Sequence, residues 1–270
     1  MNTVTSKDGT PIAFERHGEG TPLILVDGAS SYRAFNPLGP QLGDLLGASH
    51  TVYAYDRRGR GDSGDTAPYS VEREIDDLAA LIAEAGGTAH VCGFSSGAVL
   101  ALDAAAAGLP ITRLALYEPP FVVDDSRPAV PDDYLERLDA LLAEGRRGEA
   151  LELFFTTPCG FPAELVAGMK AAPIWAALET IAPTLAYDGR FMAGTMTGRP
   201  LPRDRWSSVS VPTLVMYGGA TESWIVSAAR AVSDLLPQAG LRDLPDQTHD
   251  VSAEVLAPAL AAFLADGERA

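Results

Sequence analysis

One stretch carries chemistry by residue type and spacing alone: His90-Val91-Cys92-Gly93-Phe94-Ser95-Ser96-Gly97-Ala98-Val99-Leu100. An apolar, strand-like run enters Gly-Phe-Ser-Ser-Gly, and an Ala/Leu-rich, helix-like run leaves it. That is the layout of a nucleophile elbow, a tight strand-to-helix turn that lifts a serine hydroxyl above a sheet edge. Ser95 is the candidate nucleophile. Gly93 and Gly97 flank it because a side chain at either position crowds the turn against its neighbours. The helix opening at Ser96 aims free N–H groups at negative charge developing beside the Ser95 oxygen. A serine nucleophile also needs a base that titrates near neutrality, and the chain has four histidines, His17, His50, His90 and His249. His90 starts the elbow strand at the end away from Ser95. His17 and His50 fall at strand edges or turns.

The flanking elements alternate. Val4 to Glu15 reads as a hairpin around Lys7-Asp8-Gly9-Thr10. Pro22–Val26 is a continuous apolar run, as in a strand covered on both faces, and it ends in the small-residue loop Asp27-Gly28-Ala29-Ser30-Ser31. A helix over 37–46, a strand Thr51–Tyr55, the loop Asp56–Gly64 and a helix over 71–85 lead to the elbow. Its helix runs to about residue 107, and a strand Ile111–Leu116 follows. Strand–helix alternation of this kind means a parallel sheet. It breaks after Tyr117-Glu118-Pro119-Pro120. Residues 121–208 give only helical patterns, with helices expected at 131–144, 148–155, 162–172 and 174–185. Alternation resumes with Val211–Tyr217, a helix over 222–236, Leu241–Leu244 and a last helix at 253–264. The domain reading is therefore a core of residues 1–120 and 209–270 and a helical insert, 121–208.

Bulk composition narrows the partners. The 270 residues suit one large domain with an insert, and 47% apolar with 21% charged residues is ordinary for a soluble globular chain. The formal net charge of −16 argues against nucleic acid or an anionic membrane, since both repel it. No signal-peptide pattern opens the chain, and no apolar run approaches 18 residues. Two cysteines, Cys92 and Cys159, have no metal-site spacing. The expectation is a cytoplasmic protein acting on a small molecule, with no metal, its oligomeric state unreadable. Only two of the 20 basic residues, Lys7 and Lys170, are lysines, which together with the many alanines points to a GC-rich bacterial source.

This order of elements resembles the α/β-hydrolase fold, in the branch with a helical cap after the sixth strand. Besides the elbow, Asp56-Arg57-Arg58-Gly59-Arg60-Gly61-Asp62-Ser63-Gly64 is similar to the family's loop after its fourth strand. Val211-Pro212-Thr213-Leu214-Val215 is similar to its seventh strand. Gln247-Thr248-His249 lies where the family places its catalytic histidine. The resemblance covers essentially the whole chain. It implies a mostly parallel eight-stranded sheet with helices on both faces, a cofactor-free serine hydrolase of the esterase type, and His249 as general base.

For the acid, Glu118 is favoured, with Glu222 as the alternative. The family's usual position, three residues past the glycine ending the seventh strand, is Thr221 here, with Glu222 one residue on. Glu118 ends the sixth strand, a site from which some members, certain haloalkane dehalogenases among them, supply the acid. Asp246 and Asp250 are further candidates. The oxyanion hole is expected from the backbone N–H groups of Ser96 and Ala29. Asp27 stands where the family commonly has histidine, and an acid there opposes an oxyanion unless it points away or an arginine of the 57–60 loop neutralises it. Its alternative role is a loop-stabilising acceptor. Arg57, Arg58 and Arg60, interleaved with Asp56 and Asp62, read as internal salt bridges rather than an anion site. Trp175, Phe154, Phe155, Phe161, Met169 and Met192 are core candidates of which one or two face substrate. The expected substrate is a small uncharged or hydrophobic ester. A lyase, perhydrolase or cyclase on the same scaffold, or a ligand-binding protein with weak turnover, are the alternatives.

Overall fold

The computed structural model describes residues 1–265. Eight strands form one sheet: β1 (Asn2–Thr5), β2 (Pro11–His17), β3 (Thr21–Val26), β4 (His50–Tyr55), β5 (Ala89–Phe94), β6 (Ile111–Tyr117), β7 (Thr213–Gly218) and β8 (Ala239–Leu244). Their spatial order is β1-β2-β4-β3-β5-β6-β7-β8. β2 pairs antiparallel with both β1 and β4, and every pairing from β4 to β8 is parallel. This is the mostly parallel eight-stranded sheet of an α/β-hydrolase fold.

The near-continuous apolar strands are explained by cover on both faces. Period-two alternation sends Ile24, Val26, Val91, Leu114 and Leu116 into one core, and Leu23, Leu25, Cys92, Ala115 and Tyr117 into the other. The first core is closed by α2 (Val71–Glu84), α3 (Ser96–Ala106) and α9 (Ser223–Leu235). The second is closed by α1 (Leu38–Leu46) and α10 (Ala253–Ala265). α3 is apolar nearly all round, as a helix covered from several sides must be.

Between β6 and β7 lie α4 (Tyr134–Ala143), α5 (Arg147–Thr156), α6 (Ala163–Lys170), α7 (Ile174–Ile181), a 3₁₀ turn (Ala182–Thr184) and α8 (Leu185–Met192). They share a third apolar cluster, built on Leu138, Leu151, Phe154, Trp175 and Leu178, which also takes in Ala29, Tyr32 and Phe35 of the loop after β3. The periodicity ended the last of these helices at 185. Instead the chain turns at Pro183 and continues as α8, a separate helix that the sequence pattern did not reveal.

Candidate active site

Ser95 sits between β5 and α3 at φ 53°, ψ −128°, a region that non-glycine residues rarely occupy and that marks functional turns. Its neighbours permit the turn. A Cβ on Gly97 would lie 2.2 Å from the Val26 carbonyl oxygen, and one on Gly93 would lie 2.5 Å from Ala98 Cα. The Ser95 N–H donates to the Tyr117 carbonyl (2.9 Å), tying the turn to β6. The side chain lines a cavity of about 570 Å³ that His249 also lines.

Of these two acids, Glu118 is the one at the histidine. It follows β6 at φ 49° and is wholly buried. Its Oε1 accepts the Gly218 N–H (2.8 Å), and Oε2 lies 2.6 Å from His249 Nδ1. With Nδ1 turned to the carboxylate, Nε2 is left on the opposite side of the ring. The Tyr117 hydroxyl donates to the Thr248 carbonyl, so successive residues of one strand end hold the imidazole and its loop. Gly218 has to be glycine, because a Cβ there would meet the Gln247 carbonyl oxygen at 2.2 Å. Glu222 stands at the N-cap position of α9 without a side-chain capping bond, accepts the Trp224 indole N–H and lines the cavity with no hydrogen bond to His249. Asp250 also lines the cavity, and Asp246 turns the loop at φ 59°. The remaining histidines lie at the other end of the sheet: His17 pairs with Val52, and His50 and His90 face each other with ring centres 5.9 Å apart.

The two expected oxyanion amides differ in their surroundings. Ser96 N–H lies in the first turn of α3 and has no intrahelical acceptor. Ala29 N–H donates to Ser96 Oγ (2.7 Å), and that hydroxyl donates to Asp188 Oδ1 (2.7 Å). Asp27 turns away from the elbow, accepting from Asn36 Nδ2 (2.8 Å) and Ser31 Oγ (3.1 Å), which is the loop-stabilising role. Burial raises its carboxyl above the usual range, and these two hydrogen bonds oppose the rise.

The loop arginines do form internal salt bridges, but not with Asp56 and Asp62, which pair with Arg33 instead. Arg57 forks onto Glu74 (2.7 Å for each bond) and reaches Asp188 Oδ1 (2.7 Å). Arg60 takes Asp188 Oδ2 and the Gly28 carbonyl (2.6 Å), and Arg58 pairs with Asp77 and Asp8. A buried guanidinium needs a buried carboxylate, and adjacent residues of one short loop cannot point back at it. Three arginines with only two carboxylates among them were therefore the available signal that distant acids must converge here. Asp188, Glu74 and Asp77 come from α8 and α2. Burial opposes the Asp188 charge, yet Arg57 and Arg60 hold its carboxyl below the usual range.

The cavity wall is largely apolar. Of the aromatic and methionine candidates in the insert, Phe154, Phe161 and Met192 face it, while Trp175, Phe155 and Met169 pack within the insert. Among the described residues no lysine or arginine lines the cavity. Cys159 does, but burial pushes its thiol up to about 12, so it stays protonated. Among the described residues no group of three His, Cys, Asp or Glu side chains converges as a metal site.

A family profile described as the alpha/beta hydrolase family matches residues 17–261. The chain is similar over 97% of its length to a solved alpha/beta hydrolase from Sphaerobacter thermophilus, at 56% identity and TM-score 0.89, covering all of that protein. It is 33% identical over 146 residues to the N-formylmaleamate deformylase of Pseudomonas putida. It is 35% identical over 100 residues to a candidate carbamate hydrolase of Variovorax paradoxus. These matches take in 52% and 35% of the chain and span only 53% and 37% of the two curated relatives. A solved enol-lactonase from Burkholderia xenovorans shares the fold at 19% identity, TM-score 0.69, with 98% of this chain and all of that one covered.

Proposed function

The chain belongs to the alpha/beta hydrolase family, and we propose that it is a serine hydrolase acting on a small, uncharged or hydrophobic acyl compound of the ester class. One observation carries this: the buried Glu118 carboxylate lies 2.6 Å from Nδ1 of a histidine that shares its cavity with a serine on a strained elbow. Ser95 Oγ attacks the substrate carbonyl while His249 Nε2 takes its proton. Glu118 stabilises the imidazolium so formed, and the Ser96 and Ala29 amides are the donors for the oxygen that gains charge. His249 returns the proton to the leaving group, and water, activated by the same histidine, releases the acyl group from Ser95. No cofactor enters these steps.

A largely apolar cavity wall that carries carboxylates and, among the described residues, no cation disfavours anionic acyl groups. The deformylase and carbamate hydrolase names of the partial relatives extend the candidates from esters to formyl amides and carbamates. Within the same proposal, residues 121–208 act as a cap over the core of 1–120 and 209–270. The protein works in the cytoplasm on a small molecule, with neither nucleic acid nor membrane as partner.

The test is intact-mass spectrometry after fluorophosphonate treatment, alongside hydrolysis of p-nitrophenyl esters of increasing chain length and of formyl-amide and carbamate analogues. A single adduct that disappears in Ser95→Ala, with turnover lost in the same variant, is the expected result. No adduct, and no turnover above the Ser95→Ala background, would move the function to a lyase, cyclase or binding role.

A further inference from the structure

Taking Ser95 chemistry as proposed above, the oxyanion hole needs two open amides, and one of them is occupied. Ala29 N–H points at Ser96 Oγ, 2.7 Å away. A serine hydroxyl has one proton, and here it goes to Asp188 Oδ1, also at 2.7 Å. Asp188 is 3% exposed and is clamped by Arg57 on one oxygen and Arg60 on the other. A carboxylate between two guanidiniums remains an acceptor throughout the neutral range. The Ser96 oxygen therefore has only lone pairs to turn towards Ala29. It cannot donate to a substrate oxygen at that point, and it engages the hydrogen that such an oxygen requires.

We propose that the Ser96 hydroxyl, aimed by Asp188, is a resident occupant of the oxyanion hole that substrate must displace from the Ala29 amide. The consequence is energetic. A neutral carbonyl is an acceptor comparable to the hydroxyl it replaces, so exchanging one for the other contributes little to substrate binding. An oxyanion forms a charge-assisted bond roughly twice as strong. The Ala29 amide thus favours the transition state while adding almost nothing to the ground state, the differential on which turnover depends. Asp188 acts as a positioning residue, through Ser96. It also reaches the site from α8, so the insert that walls the cavity orients a group beneath the elbow as well.

Removing the hydroxyl frees the Ala29 amide for ground state and transition state alike. Ser96→Ala is therefore expected to lower KM for p-nitrophenyl acetate and butyrate about fivefold, the worth of one ordinary hydrogen bond. Because the backbone N–H of residue 96 is kept and the added binding is shared by ground and transition states, kcat/KM is expected to rise by about the same factor. The melting temperature falls at the same time, since Ala29 N–H and Asp188 each lose a partner. Tighter substrate binding in a less stable protein is a pattern that a merely structural Ser96 does not produce. An unchanged or higher KM in folded Ser96→Ala, or a fall in kcat/KM, overturns the proposal. Ser96→Cys, whose sulfur is a weak acceptor, is expected to lower KM by a smaller factor. Should Ser96→Ala not fold, a KM at or above wild type in Ser96→Cys overturns the proposal equally. Wild-type turnover no faster than Ser95→Ala would overturn the hydrolase function and this inference together. An unchanged KM with active wild type overturns this inference alone.

Discussion

Two carboxylates are buried on either side of the elbow, and they are used in opposite ways. Glu118 is fully enclosed and meets one imidazole, that of His249, whose side chain is 49% exposed. Asp188 is almost as deeply enclosed but meets two guanidiniums that are themselves fully buried. In the proposed reaction Glu118 acts on the imidazole that takes the Ser95 proton, so its electrostatic work falls within turnover. Asp188 faces charges that are permanent, so its work is done on folding and in orienting Ser96. A buried carboxylate beside the candidate nucleophile is therefore no sign of catalysis in itself; the kind of partner it meets decides.

The sharpest way to break this contrast is to neutralise each carboxylate in turn. Glu118→Gln is expected to lower kcat/KM by about 10⁴, through loss of the imidazole orientation and of charge stabilisation, while its melting curve moves little. Glu222→Gln, which removes no bond to His249, is expected to lower it less than about tenfold. Steady-state kinetics on the two variants decide between the acids, and a larger loss in Glu222→Gln would sink the Glu118 assignment.

Asp188→Asn leaves two buried guanidiniums without their shared counter-charge. Its expected cost is about 3–5 kcal/mol of stability, or about 10 °C in melting temperature for a chain of this size. Calorimetry on Asp188→Asn and Glu118→Gln tests the pair together. If Glu118→Gln proved the less stable of the two, the division of roles would be wrong.

A smaller effect is expected of Tyr117→Phe. It frees the Thr248 carbonyl and lets the His249 loop shift, lowering kcat a few-fold at a cost of about 1 kcal/mol. Unchanged kcat would show that Glu118 alone positions the ring.

The smallest effect concerns a histidine kept away from chemistry. Burial pushes His90 down from 6.5 to about 4, helped by the nearby His50 and Arg113. Between those two pH values the unfolded chain holds the extra proton, so stability rises with pH across the window and falls as acid is added. His90→Gln is expected to remove one proton's share of that slope in denaturant melts at pH 4 to 6.5. An unaltered slope would mean that His90 titrates normally in the folded protein.

Much of the fold was legible in the sequence because its strands are apolar runs covered on both faces and its turns are marked by glycine. The elbow was legible for a related reason: glycine at 93 lets β5 approach α3, and glycine at 97 lets α3 approach the end of β3. His249 was placed by its position after the last strand. For the acid, the sequence favoured Glu118 without excluding Glu222, since each stands at the end of a neighbouring element. Counting along the chain cannot tell which side chain turns inward. α8 was missed because it follows the Ala182–Thr184 turn without a break and its charged residues interrupt the apolar period. With it went Asp188.

By itself, then, the sequence determined the sheet and the strained turn at Ser95, consequences of local spacing and of which residues tolerate a tight turn, and it put His249 past the last strand. The tertiary structure alone decided which glutamate meets the imidazole, which distant acids balance Arg57, Arg58 and Arg60, and that Ser96 closes over the Ala29 amide. Each of these joins residues from separate elements, up to 131 positions apart for Glu118 with His249 and for Arg57 with Asp188. Burial makes every one of them a question of finding a partner for a charge or a polar hydrogen in a space without water.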